Sequence, residues 1–212
     1  MSWERARSDE QIEYRINEIL EATAKLYKEN RFEEITFVMI AKEAGFTRSN
    51  LYRYFKTKED IFLKLLAKDI NAWRKYLQEN MPEKTLSPDE FAALWVQLML
   101  AQPRLLQLFA ILYTILEKNA TLEALTDFKG SIHAELQTAV EMMVAYYPAL
   151  TPEKAGEFLQ ASLSLSIGMY PLLDMTEKQI EAIQTVGMTH SAKGYQTIWV
   201  NSVAALLKDV LG

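Results

Sequence analysis

The stretch ITFVMIAKEAGFTRSNLYRYFKTKEDIFLKLL, from Ile35 to Leu66, decides how the rest of the chain is read. Thr36 is a good N-cap, and Phe37, Ile40, Ala41 and Ala44 recur on one helical face until Gly45 stops the helix. Thr47 can then cap a short helix to about Tyr54, with Leu51 and Phe55 pointing inward. Thr57 caps a further helix in which Ile61, Leu65 and Leu66 keep helical spacing. Two short helices joined by a tight glycine turn, braced by longer ones, predict a helix-turn-helix unit.

Charge singles out the same residues. Between Glu43 and Glu59 there is no acid, while Arg48, Arg53, Lys56 and Lys58 stand among Thr47, Ser49, Asn50, Tyr52 and Tyr54. The chain as a whole has a formal net charge of -5. Residues 1–80 hold 15 Lys/Arg against 14 Asp/Glu, and the remainder holds 8 against 14. An acid-free basic strip in an acidic protein suggests a local polyanion contact. A short basic cluster can equally be solvated surface, so charge by itself decides nothing. Here, however, the strip coincides with the turn and second helix of the unit, the element that enters a DNA major groove, where an acid would be repelled by phosphates.

Working outward, Ile12, Ile16, Ile19/Leu20, Thr23 and Leu26/Tyr27 predict a first helix over roughly 9–29. The helix opened by Thr57 should run to about 79. Beyond it, Ser87, Pro88 and Glu90 form a capping box, and Pro103 and Pro152 open later helices. Helices are expected at about 88–101, 103–118, 121–146, 152–170, 176–186 and 192–211, with no strand alternation. The expected fold is all-α: a DNA-binding domain over 1–68 and a larger helical domain over 69–212.

The order Thr36, Ile40-Ala41, Ala44-Gly45-Phe46, Leu51-Tyr52, Tyr54-Phe55 and Lys58 resembles the N-terminal domain of tetracycline-repressor-type (TetR/AcrR) transcriptional regulators. That family often has glycine near position 49 or 50, where this chain has Ser49 and Asn50. The resemblance implies that Thr47, Arg48 and Ser49 reach base edges of a double-stranded operator, Arg48 being able to donate twice to guanine. It also implies backbone-phosphate contacts from Asn50, Tyr52, Tyr54 and Lys58, and an anion-facing N-terminus on the helix that Thr36 caps.

The body is rich in aromatics and methionine. Packing accounts for most of these, but in a TetR-like body the central helices enclose a small-molecule cavity. Trp95, Phe109, Tyr113, Met142, Met169 and Tyr170 are the candidate lining for an apolar or amphipathic effector. The helices at about 152–170 and 192–211 are expected to build a homodimer. The first has small residues at Gly156, Ala161, Ser162, Ser164, Ser166 and Gly168. The second presents Tyr195, Ile198/Trp199, Ser202 and Leu206.

Other classes find little support. Cysteine is absent, which excludes disulfides, thiolate zinc sites and a catalytic thiol. Only His133 and His190 occur, no Glu-x-x-His pair is present, and no glycine spacing suits a nucleotide loop. No catalytic residue, metal or cofactor is therefore expected. Neither a secretory signal nor a membrane span is read, so the expected location is cytoplasmic. The reading is a ligand-responsive regulator, most simply a repressor. A helical small-molecule-binding or adaptor protein without specific DNA binding is the alternative, although it gives no reason for Arg48, Tyr52 and Lys58 to cluster.

Overall fold

A computed structural model describes Ser2–Gly212, with side chains from Glu10 onward. The protein is all-α, with no strand among the described residues. The helices are α1 (Ser2–Glu29), α2 (Phe37–Glu43), α3 (Arg48–Leu51), α4 (Lys58–Asn80), α5 (Pro88–Leu100), α6 (Pro103–Ile111), α7 (Glu117–Asn119), α8 (Leu122–Tyr146), α9 (Pro152–Leu173), α10 (Glu177–Thr185) and α11 (Ala192–Leu211). No single helix among them is long and apolar enough to cross a membrane.

The caps expected at Thr36, Thr47 and Ser87 are present, and further threonines cap later helices. Thr36, Thr47, Ser87, Thr151 and Thr176 each accept a hydrogen bond from a backbone N–H three residues on. Ser87 and Glu90 complete the capping box reciprocally. Two departures stand out. α1 begins at Ser2 rather than near residue 9, and Ile12 on its expected apolar stripe is 45% exposed. The helix expected over 103–118 is interrupted: Leu112–Leu116 form a π-helical turn between α6 and α7. A π turn inserts one residue, so side chains before and after it no longer share a face.

The chain divides into two compact units. The first comprises the residues up to Asp69 together with Ile111–Ser131, and the second comprises Ile70–Ala110 with Ile132–Gly212. In the first, Phe62 is fully buried and meets Tyr27 and Phe32 edge to face at 5.2 and 4.9 Å. Complete burial of a side chain of that size stabilises by about 1.5–3 kcal/mol. In the second, Phe91, Trp95, Met143, Phe158, Trp199, Val203 and Leu207 form one core, with Trp199 fully covered.

The segment 111–131 is tied into the first unit through Asp60, which is 3% exposed. Its Oδ2 accepts from the backbone N–H of Lys56 at 3.2 Å and of Thr57 at 3.1 Å. Its Oδ1 accepts from the Thr121 N–H at 2.8 Å and the Thr121 hydroxyl at 3.2 Å. Thr57 and Thr121 are the residues that cap α4 and α8, accepting from Asp60 N and Ala124 N. One carboxylate thus serves two helix N-termini, where the aligned peptide dipoles favour negative charge.

Candidate nucleic-acid interface and cavity

The turn between α2 and α3 follows from three residues. Gly45 has φ +72°, and a Cβ there would meet nothing within 4 Å, so conformation rather than space calls for glycine. Phe46 N–H bonds to Ala41 O at 2.8 Å and Gly45 N–H to Lys42 O at 3.2 Å, the paired bonds of a Schellman stop. Thr47 then restarts the chain, accepting from Asn50 N–H at 3.1 Å. α3 itself is only four residues long, but Tyr52, Arg53, Tyr54 and Phe55 continue its hydrogen bonding. Leu51 is fully buried beneath it.

The outer side of this element is exposed at Thr47, Arg48 and Ser49 and half-buried at Asn50. Thr47 and Ser49 hydroxyls lie 3.1 Å apart. Arg48 Nη2 donates to the Tyr52 hydroxyl at 3.1 Å, with its guanidinium 5.5 Å from that ring's centre. Tyr52 in turn stacks on Phe37 at 4.5 Å. Tyr54 packs edge to face on Phe46 at 5.9 Å. Thr36, exposed, caps α2 through Met39 N–H at 3.2 Å.

Lys58 needs a correction. It was expected to face phosphate, but its ammonium turns inward, donating to Phe32 O at 2.8 Å and Ile35 O at 2.9 Å. It also lies 4.1 Å from the centre of the Phe32 ring. Two of its three donors are therefore engaged in holding the α1–α2 loop against the first turn of α4. The cause is the two loop carbonyls, which no spacing rule in the sequence exposes.

The second unit contains a cavity of about 400 Å3. Its walls come from Trp73 and Leu77 of α4, Phe91, Trp95 and Met99 of α5, Phe109 of α6, and Ala139, Met142, Met143 and Tyr146 of α8, with Leu159 and Leu163 of α9. Trp73 and Trp95 meet edge to face at 5.3 Å, and Phe91 stacks on Trp95 at 5.5 Å. Charge enters the wall as a bonded cluster. Glu135 Oε2 accepts from Arg74 Nε at 2.5 Å, and Glu135 Oε1 accepts from Asn71 Nδ2 at 2.6 Å. Burial pushes the Glu135 carboxyl up, but the hydrogen bonds from Asn71 and Arg74 and the Arg74 charge outweigh it and hold it below the usual range.

Residues 67–208 match the family model described as the tetracyclin repressor-like C-terminal domain, and residues 19–65 match that of bacterial regulatory proteins of the tetR family. The chain belongs to the TetR family. Solved structures agree on the fold. A TetR transcriptional regulator from Rhodococcus sp. RHA1 superposes with a TM-score of 0.58 at 16% identity, covering 92% of this chain and 96% of that one. A TetR-family transcriptional regulator from Streptomyces coelicolor gives 0.59 at 15% identity, covering 93% and 82%. A fatty acid metabolism regulator protein of Bacillus subtilis is 29% identical over 75 residues, which is 35% of this chain and 39% of that protein's length.

Within this TetR-family fold, Thr36, Thr47, Arg48, Ser49, Asn50, Tyr52 and Tyr54 lie on or beside the α2-turn-α3 element. Of the expected ligand residues, Trp95, Phe109 and Met142 line the cavity, whereas Tyr113, Met169 and Tyr170 do not. Tyr113 follows Phe109 by four residues and would share its face in a continuous α-helix. The π turn separates them, leaving Tyr113 46% exposed with the Lys129 ammonium 5.5 Å from its ring. Tyr170 lies seven residues beyond Leu163, about 10 Å further along α9. Met169 and Tyr170 belong instead to the buried core. The sequence reading missed Asn71, Arg74 and Glu135, which are more than 60 residues apart across the cluster, as well as Trp73, whose indole nothing in local spacing marks as cavity wall.

Proposed function

We propose that this TetR-family protein is a DNA-binding transcriptional regulator in which α3 reads a near-palindromic operator, acting as a repressor released by a small molecule. The observation that carries the reading is the exposed, acid-free face of α3 behind a capped helix-turn-helix. Arg48 stands at its N-terminal end and can donate twice to guanine O6 and N7. The likeness to regulators over both parts of the chain supports it.

Dimerisation is the second element of this reading. On α11 the residues Tyr195, Ser202 and Leu206 are half-buried and Ile198 is 53% exposed. Trp199, expected on the same face, is instead fully buried within its own chain. On α9 the residues Gly156, Ala161, Ser164 and Gly168 remain open to some degree, whereas Ser162 and Ser166 are buried. A two-fold pairing of these faces would cover the apolar side chains left outside. It would also have to hold two copies of α3 about 34–36 Å apart, or a multiple, to meet successive major grooves. α4 carries Lys58 at one end and the cavity residue Trp73 further along. A ligand that prefers one setting of that helix would thereby favour or disfavour the DNA-binding spacing.

The experiment is retention of sheared genomic DNA by the purified protein at moderate salt, followed by sequencing of the retained fragments. Enrichment of a common near-palindrome, with preference relaxed at one base position in Arg48→Ala, is the expected result. Equal retention of all fragments overturns specific recognition and favours the adaptor alternative.

A further inference from the structure

We propose that the cavity in the second unit selects an uncharged aromatic or otherwise apolar molecule, recognised by shape and ring contact rather than by a charged head. This rests on the reading of that cavity as the effector site. Trp73 and Trp95 place large ring surfaces on the wall, and Met142 and Met143 add adaptable thioethers. Neither indole Nε1 has an acceptor among the described residues, and neither is accessible to water. Their N–H groups are therefore not presented to the cavity space, and a ligand finds rings there rather than donors.

The charged groups point the same way. Arg74 and Glu135 are 18% and 21% exposed at their side chains, and each already holds the other. Asn71 takes up the remaining carboxylate oxygen. The pair presents no net charge, so an anion finds Arg74 neutralised and a cation finds Glu135 neutralised. Either ion would leave water without compensation, or would have to break a largely buried pair whose other half would then be stranded. Glu83, the remaining charged residue of the lining, is exposed and can stay hydrated.

The test uses one ring system with three substituents on the full-length protein: ethylnaphthalene, naphthoate and naphthylmethylammonium, titrated by calorimetry. The neutral probe should bind at least about tenfold more tightly than either ion, and Ala139→Trp, which fills the cavity, should abolish its binding. Glu135→Gln, which frees Arg74, should move the preference toward naphthoate. Arg74→Gln should move it toward naphthylmethylammonium. Thermal melts establish that each variant is folded, and the wild-type series stands even where one is not. A wild-type protein that binds either ion as tightly as ethylnaphthalene overturns the inference while leaving the cavity as an effector site. Failure of all three probes to bind, or neutral binding that survives Ala139→Trp, overturns the cavity reading itself and the inference with it.

Discussion

Asp60 and Thr121, 61 positions apart, are joined by two hydrogen bonds to a single carboxylate oxygen, from the Thr121 N–H at 2.8 Å and its hydroxyl at 3.2 Å. The other oxygen holds the N–H groups of Lys56 and Thr57 just beyond the reading element. Asp60→Ala would strip four donors of their acceptor, three of them backbone amides. The expected loss of stability is about 2–4 kcal/mol, and Asp60→Asn, which keeps one acceptor oxygen, should lose less. Urea unfolding of the two variants checks the order. Equal stability of wild type and Asp60→Ala would show that water replaces the carboxylate without cost.

Arg48 and Tyr52 bear on DNA in different ways. Arg48→Ala should lose about 1–3 kcal/mol on the selected operator and relax preference at one base position, with little change on random DNA. Tyr52→Phe keeps the ring stacked on Phe37 but removes the acceptor that holds the guanidinium. Its effect should be smaller and should vanish in the Arg48→Ala background. Competition gel shifts with single-base operator variants provide the measurement, and additive losses in the double variant would separate the two residues.

Lys58→Met should be a stability variant rather than one that removes a phosphate contact. Replacing the ammonium removes a charged donor from the Ile35 carbonyl and leaves the Phe32 carbonyl with the Ile35 N–H at 3.3 Å, an expected cost of about 1.5–3 kcal/mol. A melting temperature equal to wild type, with DNA affinity reduced, would return Lys58 to a purely phosphate-facing role.

Glu135 links stability to pH. Its folded carboxyl titrates below the ordinary value of 4.5, so the unfolded chain takes up the proton first as pH falls. The contribution is complete above that ordinary value and is lost as pH drops through the lower folded one. Urea midpoints should therefore fall on acidification over this window more steeply in wild type than in Arg74→Met, where the depression is reduced. Parallel pH profiles would remove the ion pair from the account.

Ile198→Asp tests the association face. At 53% exposure the substitution should change the folding of one chain by no more than about 0.5 kcal/mol. Light scattering at micromolar concentration should nonetheless report a dimer for wild type and a shift toward monomer for the variant. A wild-type monomer would end the dimer reading.

The fold was legible in the sequence because its signals are local. Gly45, the Thr36 and Thr47 caps and the inward pair Leu51 and Phe55 act within a few residues of one another, and periodicity plus capping mark where each helix starts and stops. The cavity was only partly legible because its wall is assembled from α4, α5, α6, α8 and α9. Trp95, Phe109 and Met142 were visible as large apolar residues in the body, but so were Met169 and Tyr170, which packing directs into the core. The Arg74–Glu135 pair spans 61 positions, and the π turn that turns Tyr113 away has no signature in LYTIL that separates it from an ordinary helix.

Four tryptophans occur in the chain, and their distribution has a practical consequence. Trp73 and Trp95 line the cavity in mutual contact, while Trp199 is sealed in the core and Trp3 falls among the residues whose side chains are not described. An occupant of the cavity therefore touches two of the protein's own fluorophores and leaves Trp199 in an unchanged apolar setting. Emission colour and quenching then report occupancy directly, without a label, and Trp73→Phe and Trp95→Phe divide the signal between the two walls.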